Sequence, residues 1–200
     1  MNRVYRNSVL LVLMTLLVQI EDVHSQGYNL TKDGCYAFFE NNPKTLGAEF
    51  GIGIPDKWTI QDLELPSIIA EMHYNQEIEL FISIEAGETF ISREQARVIV
   101  DSGDIDSKII EDHESQGFGA ILIDATSEIV DSYPTRKLTF SILRDDFVEN
   151  RVVKNHYIGE LWFIFYEDVQ ICVMAFCPKN KYKMYSLIFR NVVKSIFFLN

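Results

Sequence analysis

The chain has 200 residues, of which 48% are hydrophobic and 24% are charged, and its formal net charge at pH 7 is −11. This composition is typical of one soluble globular domain. Nucleic acid and anionic lipid surfaces repel so acidic a protein, which argues against both as partners. The net charge does not exclude binding of basic proteins or of cations.

The first 25 residues have the three-part pattern of a secretory signal peptide. Two arginines near the start are followed by an apolar run at 9–18, and Ser25 offers a small residue before Gln26. The run is half of the roughly 20 residues that a membrane-spanning helix needs. We therefore expect cleavage after Ser25, export to the periplasm or the cell exterior, and no membrane contact afterwards. An uncleaved anchor is the alternative.

Residues 26–48 are polar and irregular, apart from the short apolar cluster Tyr36–Phe39. We predict a loose lead-in whose apolar cluster packs against a single domain at 49–200. The domain opens with an alternating run at 50–54 that stops at Pro55. This pattern predicts a strand that ends there, because proline cannot donate to a ladder of hydrogen bonds.

The runs 65–74 and 78–85 predict two more strands that meet at a turn. A helix follows them. Ser92 and Gln95 have the spacing of a capping box, in which each side chain binds the backbone amide of the other residue. Gly103 is suited to end this helix, since glycine adopts the left-handed conformation that a helix end requires.

Three further strand runs occupy 120–129, 137–143 and 151–157, and polar turns are predicted at 131–134 and 144–146. No linker rich in Gly or Ser, no internal repeat and no low-complexity segment interrupts this part of the sequence. The pattern therefore indicates one continuous domain.

The C-terminal part holds the most apolar stretch of the chain. Two predicted strands, at 161–166 and 169–176, are apolar on both faces, so both faces need a covering layer. A final helix has an apolar face spaced by three and four residues. Its members are Tyr185, Ile188, Phe189, Val192, Val193 and Ile196. Strands, helix, strands and helix in this order predict an α+β layered sandwich with a mainly antiparallel sheet.

Two local patterns within this order resemble the PsbP-like superfamily. The first, Phe-x-Ile-x-Ile-Pro-x-x-Trp at 50–58, is similar to the family's opening strand, which ends in Pro and reaches a Trp three residues later. The second, Val-Lys-Ser-Ile-Phe at 193–197, is similar to the family's closing helix end, where a Ser precedes a short apolar strand. The resemblance covers about residues 50–198.

This resemblance implies an α/β/α sandwich around an antiparallel sheet. The family includes PsbP, bacterial exported DcrB-type proteins and Mog-type Ran-binding factors, and it generally acts by binding proteins rather than by catalysis. No motif in this sequence matches the oxygen-evolving or Ran-binding residues of those members, so no site residue is carried over.

Three cysteines remain after the leader, namely Cys35, Cys172 and Cys177. On one strand, Cys172 and Cys177 would lie about 16 Å apart, whereas a disulfide needs less than about 7 Å. At most one bridge can therefore form, through Cys35. We predict Cys177, at the end of its strand, as the candidate partner; three reduced thiols are the alternative.

Four residues are candidate metal ligands. Glu71 and His73 share a strand face, where both could touch one metal. Asp104 and Asp106 belong to an acidic segment that suits calcium in ligand type but lacks the calcium-loop pattern. Neither pair makes a complete site, and a solvated polar surface explains both. We therefore predict no metal and no cofactor.

The sequence has no nucleophile elbow, no phosphate loop and no histidine beside a cysteine. Together with the signal-peptide pattern and what the family resemblance implies, this leads us to expect a non-enzymatic, exported protein-binding or assembly module, monomeric, with a partner that the sequence does not identify. Two alternatives stay open. One is a carrier for a small apolar ligand, lined by the aromatic run at 162–166. The other is a hydrolase that uses His73 or His156 as its base.

Overall fold

The computed structural model describes residues 30–33, 35–63, 65, 68–75, 78–86, 92–107, 120–148 and 151–199, and the predicted signal peptide lies outside them. Within these residues the strands, in chain order, are β1 (Leu30–Asp33), β2 (Tyr36–Phe39), β3 (Phe50–Gly53), β4 (Thr59–Gln61), β5 (Ile68–Tyr74), β6 (Ile78–Ala86), β7 (Ile121–Val130), β8 (Tyr133–Val148), β9 (Arg151–Tyr166), β10 (Val169–Pro178) and β11 (Phe197–Phe198). The main helices are α1 (Arg93–Ser102) and α2 (Tyr182–Lys194).

The described strands form two antiparallel sheets. The main sheet has the strand order β4-β5-β6-β10-β9-β8-β7. The small sheet has the order β1-β2-β3-β11. The predicted α+β class with a mainly antiparallel sheet is confirmed.

The two faces of the main sheet are covered by different elements. On one, here called the front face, α2 and the small sheet pack over a core that includes Trp162, Phe189 and Phe50. On the other, the back face, Val100 of α1 packs in a second core with Phe163. Successive residues of β10 point alternately into the two cores, which explains why this strand is apolar at nearly every position.

Helix α2 buries the face that the sequence predicts. Tyr185, Phe189, Val192 and Val193 recur at intervals of three and four residues and are buried. A large apolar side chain contributes about 1.5–3 kcal/mol when it is fully buried, so this face is enough to hold the helix on the sheet. No helix in the described parts of the chain is long and apolar enough to cross a membrane.

The two patterns that resemble the PsbP-like family meet in the structure. The Trp58 amide donates to the Pro55 carbonyl at 3.1 Å, and the indole packs edge-on against Phe189, with ring centroids 6.3 Å apart. The Ser195 hydroxyl accepts a hydrogen bond from the Gly53 amide at 2.7 Å. A Cβ atom at Gly53 would lie 2.8 Å from that hydroxyl oxygen, so glycine permits the close approach. The opening strand is thus tied directly to the end of α2.

Helix α1 begins and ends where its sequence predicts. The Gln95 amide donates to Ser92 Oγ at 3.3 Å, and the Ser92 amide donates to Gln95 Oε1 at 3.0 Å, which completes the capping box. Gly103 ends the helix with a positive φ of 72°. These contacts satisfy amides that the first turn of a helix would otherwise leave unpaired.

The segment predicted as a loose lead-in, 26–48, is partly regular: Leu30–Asp33 and Tyr36–Phe39 form strands, and Pro43–Thr45 forms a short 3-10 helix. Ala37 and Phe39 of β2 are buried, and Phe39 stacks on Phe50 with ring centroids 4.8 Å apart. The strands β1 and β2 have only four residues each, too few for a clear periodic pattern. Their ordering depends on β3, which comes later in the chain, and this is why the local sequence did not predict it.

The turn predicted at 144–146 is wrong. These residues continue β8 and pair with 153–155 of β9. Beyond Ser141, β8 is no longer paired with β7, and before Tyr157, β9 is not paired with β10. Residues 142–148 and 151–156, here called the ribbon, therefore form a two-stranded projection. With no third strand paired to it in the described chain, the ribbon does not require an apolar sequence, and its polar residues do not mark a turn.

Candidate binding site at the edge of the main sheet

Strand β7 forms one edge of the main sheet and, among the described residues, pairs only with β8. Of its ten residues, only Val130 is buried. Ile121, Ile123 and Ile129 expose 68%, 56% and 58% of their surface. Single exposed apolar residues are ordinary, but three on one edge strand make β7 the strand of the main sheet with the most exposed large apolar side chains in the described chain.

A β-bulge divides β7 into two parts. The register shifts between Leu122 and Asp124, so Ile123 faces no residue of β8, whereas the pairing from Asp124 to Val130 is regular. Bulges at a sheet edge hinder pairing with another chain. The regular part carries no such protection, and no strand in the described chain occupies its outer side.

A cleft of about 570 Å³ lies along the regular part of β7. Helix α1 covers the back face of the sheet and α2 covers the front face, so the cleft runs around the sheet edge between them. The lining residues are Arg97, Val100, Asp101, Ser127, Glu128, Ile129, Pro134, Arg190 and Lys194. This volume falls within the range of roughly 300–1,000 Å³ that is typical of ligand sites.

The cleft is lined by three cations and two anions, so it carries one net positive charge in a chain whose total is −11. Arg190 Nη2 lies 3.0 Å from Glu128 Oε1 and neutralises that carboxylate. Glu128 Oε2 is buried and finds no hydrogen-bond partner in the described chain. No ion pair between described residues involves Arg97 or Lys194, which leaves both cations available to a ligand.

Arg136 supports the cleft from the neighbouring strand. Its Nη1 donates to Ser127 Oγ at 3.2 Å, and its Nε donates to Asp106 Oδ1 at 2.9 Å, while Nη2 binds Asp106 Oδ2. The hydrogen bonds with Asp106 raise the pKa of Arg136, so the guanidinium stays charged. Arg136 therefore joins β7 to the segment that follows α1.

The four weak candidates for metal ligands do not come together in one place. Glu71 and His73 share the back face of β5, where His73 Nε2 lies 2.7 Å from Thr59 Oγ1. Asp106 is bound at β8, four strands away from β5, or about 19 Å, and Asp104 is exposed. Within the described ranges, no group of three or more His, Cys, Asp or Glu residues is placed to hold a metal ion.

All three cysteines are free thiols in the structure. Cys35 is exposed at the β1–β2 turn, and Cys177 is buried on the front face at the end of β10. Burial, with the nearby charge of Glu160, raises the pKa of Cys177 to about 12. The predicted Cys35–Cys177 bridge is therefore not formed here, and it stays a prediction that a count of thiols can test.

The sequence analysis did not predict a buried ion pair on the front face of the main sheet. Glu160 is 1% exposed, and its Oε1 lies 2.6 Å from Lys137 Nζ and accepts a hydrogen bond from the Tyr182 hydroxyl at 2.7 Å. Burial, together with the hydrogen bond to Glu160, raises the pKa of Tyr182. The pair fixes the first residue of α2 on the sheet. Its one sequence signal is a lone acid beside the apolar run that starts at Leu161.

A second polar group lies on the back face, where buried Ser83 and half-buried Glu85 of β6 are opposite Cys172 and Gln170 of β10. Gln170 Nε2 lies 3.7 Å from Cys172 Sγ. Burial raises the pKa of Glu85 to about 7 and raises the pKa of Cys172 well above its usual value. The thiol is therefore protonated at neutral pH, which does not suit a nucleophile.

No protein-family model matches this sequence, and no curated protein matches it. Solved structures do match. Cyanobacterial PsbP (CyanoP) from Synechocystis sp. PCC 6803 has a TM-score of 0.53 and 15% identity, over 90% of this chain and 99% of that chain. LpqN, involved in cell envelope biogenesis of Mycobacterium tuberculosis, has a TM-score of 0.48 and 9% identity, over 82% of this chain and 91% of that chain.

A Pseudomonas aeruginosa protein of unknown function has a TM-score of 0.45 and 15% identity, over 81% of this chain and 96% of that chain. Of these three structures, the cyanobacterial one alone has a TM-score above 0.5. Because its sequence identity is only 15%, it shows a likeness of fold and carries no information on function. It spans nearly the whole of both chains, and the patterns at 50–58 and 193–197 lie where they tie the opening strand to the end of α2. The fold of this chain is therefore the PsbP-like fold that those patterns resemble.

Proposed function

We propose that this protein is an exported, non-enzymatic protein-binding or assembly module that holds its partner at the β7 edge. One observation carries the proposal. The regular part of β7 is unpaired on its outer side in the described chain, and a charged cleft formed by two helices runs along it. An extended segment of another protein can add to such an edge through backbone hydrogen bonds.

The groups around the edge fit a polypeptide better than a small apolar ligand. Five of the nine lining side chains are charged. The aromatic run at 162–166, which would line an apolar carrier, contributes Trp162 and Phe163 to the packed cores on the two faces. A carrier would need these side chains to enclose a cavity instead of filling the core.

The hydrolase alternative needs a histidine in a cleft beside a nucleophile. His73 Nε2 is within hydrogen-bond distance of Thr59 Oγ1, but this pair lies on strands β4 and β5 at the opposite edge of the sheet from the β7 cleft. His156 is exposed on the ribbon. Neither histidine lines the cleft at β7, so neither could act on a substrate bound there.

The test is partner capture by the full chain, carrying a C-terminal tag and recovered from the exported fraction of its source cells. We compare it with the double variant Arg97→Glu/Lys194→Glu. Lys179→Glu/Lys183→Glu is the control, since it makes the same change in charge at exposed residues outside the cleft. We expect a partner that the unmodified chain and the control retain and the cleft variant loses.

Equal capture by all three proteins would remove β7 as the binding edge. Export is tested independently by fractionating whole cells and sequencing the N-terminus of the tagged protein in each fraction. We expect it in the exported fraction and beginning near Gln26, and recovery with an intact Met1 from the soluble cytoplasm would overturn the exported part of the proposal.

A further inference from the structure

We infer that the segment held at β7 is an extended acidic peptide with two consecutive carboxylate side chains, added to the main sheet as a further strand. The inference rests on the proposed function, because it names the class of partner for the same site. It draws on three features of the edge, namely its length, the sides from which its cations come, and its charge.

The regular part of β7, from Asp124 to Val130, can pair with about seven residues, a length of about 23 Å. Its outer backbone groups meet no strand within the described chain. An added strand would lie about 4.8 Å from β7 and would satisfy these groups. The exposed Ile129 on the same strand would be covered by an apolar residue of the peptide.

The cations of the cleft come from opposite sides of the sheet. Arg97 belongs to α1, which packs on the back face, and Lys194 belongs to α2, which packs on the front face. Neighbouring side chains of a strand point to opposite faces. Two consecutive acidic residues on an added strand would therefore place one carboxylate near Arg97 and the next near Lys194. Two acids separated by one residue would both point to the same side.

The sign of the charge favours acidic residues. Arg190 is engaged by Glu128, so Arg97 and Lys194 face a single uncompensated anion, Asp101. The rest of this chain is strongly acidic and repels an acidic peptide elsewhere.

Three blocked octapeptides test the inference with the full chain. The first is Val-Thr-Val-Glu-Glu-Val-Thr-Val. The second, Val-Thr-Glu-Val-Glu-Val-Thr-Val, has the same composition but separates the acids. The third replaces both glutamates of the first with lysine. Calorimetry gives the affinity of each peptide, and hydrogen exchange read by mass spectrometry shows which strand becomes protected.

We expect the adjacent-acid peptide to bind about two- to fivefold more tightly than the separated-acid peptide, which is the effect of one exposed charge contact, and to exceed the lysine peptide by a larger factor. It should protect amides of 124–130. Arg97→Glu/Lys194→Glu should remove this preference, and the control Lys179→Glu/Lys183→Glu should keep it. The two glutamate peptides have the same charge and composition and differ only by the exchange of their third and fourth residues, so their ratio isolates the geometry from the charge.

Each other result overturns the inference. Equal affinity of the two glutamate peptides would rule out the arrangement in which one acid lies on each side of the sheet. Tighter binding of the lysine peptide would rule out an acidic ligand. Protection away from β7 would move the site. A dimer that depends on protein concentration, seen by sedimentation without peptide and lost in the cleft variant, would make a second copy the occupant. If no peptide binds but the cleft variant still loses its captured partner, the acidic class fails and the proposed function stands. If capture is unchanged as well, both fail.

Discussion

Strands β10 and β7 belong to the same sheet and have ten residues each, yet their surroundings are opposite. β10 lies between β6 and β9, and nine of its residues are buried. β7 lies at the edge, and one of its residues is buried. Both strands contain several aliphatic residues, so composition alone does not decide burial. Burial depends instead on how many strands pair with each strand and on how many layers cover it. This difference separates the part of the sheet that stabilises the fold from the part that is available for binding.

The largest effect expected from this comparison is on stability. Ile171 of β10 is fully buried, and Ile121 of β7 is 68% exposed. Ile171→Ala should lower the free energy of unfolding by about 2–5 kcal/mol, because it removes buried methyl groups and leaves a cavity. Ile121→Ala should change it by less than about 0.5 kcal/mol. Urea unfolding of the two variants measures both values, and similar losses would show that β7 is covered in solution.

The next effect is a dependence of stability on pH, caused by Glu85 beside β10. Burial raises the pKa of Glu85 from 4.5 to about 7, so the folded state holds this proton more tightly than the unfolded chain does. Its contribution to stability is therefore complete below about pH 4.5 and is lost as the pH rises to about 7. Glu85→Gln should stabilise the protein by about 1–3 kcal/mol at pH 8 and have little effect at pH 4.

Urea unfolding at pH 4, 6 and 8 measures this difference. Glu40→Gln, at an exposed position outside the helices, is the control and should leave the pH profile unchanged. Parallel profiles for Glu85→Gln and the unmodified chain would contradict a raised pKa.

A third prediction concerns the reactivity of thiols and needs no change to β10. Cys172 and Cys177 are buried on the two sides of this strand, whereas Cys35 is exposed. A thiol reagent should label one cysteine in the native protein and three after unfolding. Cys35→Ser should remove the native reaction. If a Cys35–Cys177 bridge forms instead, the native protein should show no reactive thiol and the unfolded protein should show Cys172 alone.

The smallest effect is expected at the cleft. Arg97→Glu/Lys194→Glu should lower the free energy of unfolding by at most about 1 kcal/mol, because neither cation is paired in the described chain and only the position of Lys194 in the last turn of α2 disfavours glutamate. Lys179→Glu/Lys183→Glu should leave it unchanged or raise it slightly, because Lys183 lies in the first turn of α2, where an acid is favourable. Thermal unfolding of both proteins checks this. A loss as large as that of Ile171→Ala would mean that the cleft cations hold the fold together and are not reserved for a partner.

The sequence predicted the elements whose signals are local. The capping box at Ser92 and Gln95, the glycine that ends α1, and the buried face of α2 all depend on residues within one or two helical turns. The apolar character of β10 also predicted cover on both faces. The resemblance to the PsbP-like family added the order of the layers, which periodicity cannot supply.

The features that the sequence did not predict depend on residues far apart in the chain. β2 is ordered by β3 and, through it, by the final strand β11. The cleft needs α1, α2 and β7 together, and no short motif encodes such a meeting. The role of Glu160 was not predicted, because in the sequence it is one acid beside an apolar run, as at the end of any strand. Its partners Lys137 and Tyr182 are distant in the chain and are apparent only in the structure.

Phe198 shows what this arrangement means for the nascent chain. Its ring stacks on Tyr166 with centroids 4.0 Å apart, meets Tyr133 at 4.8 Å, and lies 6.2 Å from Phe50. At a synthesis rate of about 5–20 residues per second, roughly 7–30 s pass between the synthesis of Phe50 and the synthesis of Phe198. The aromatic cluster therefore stays incomplete until Phe198 has been synthesised.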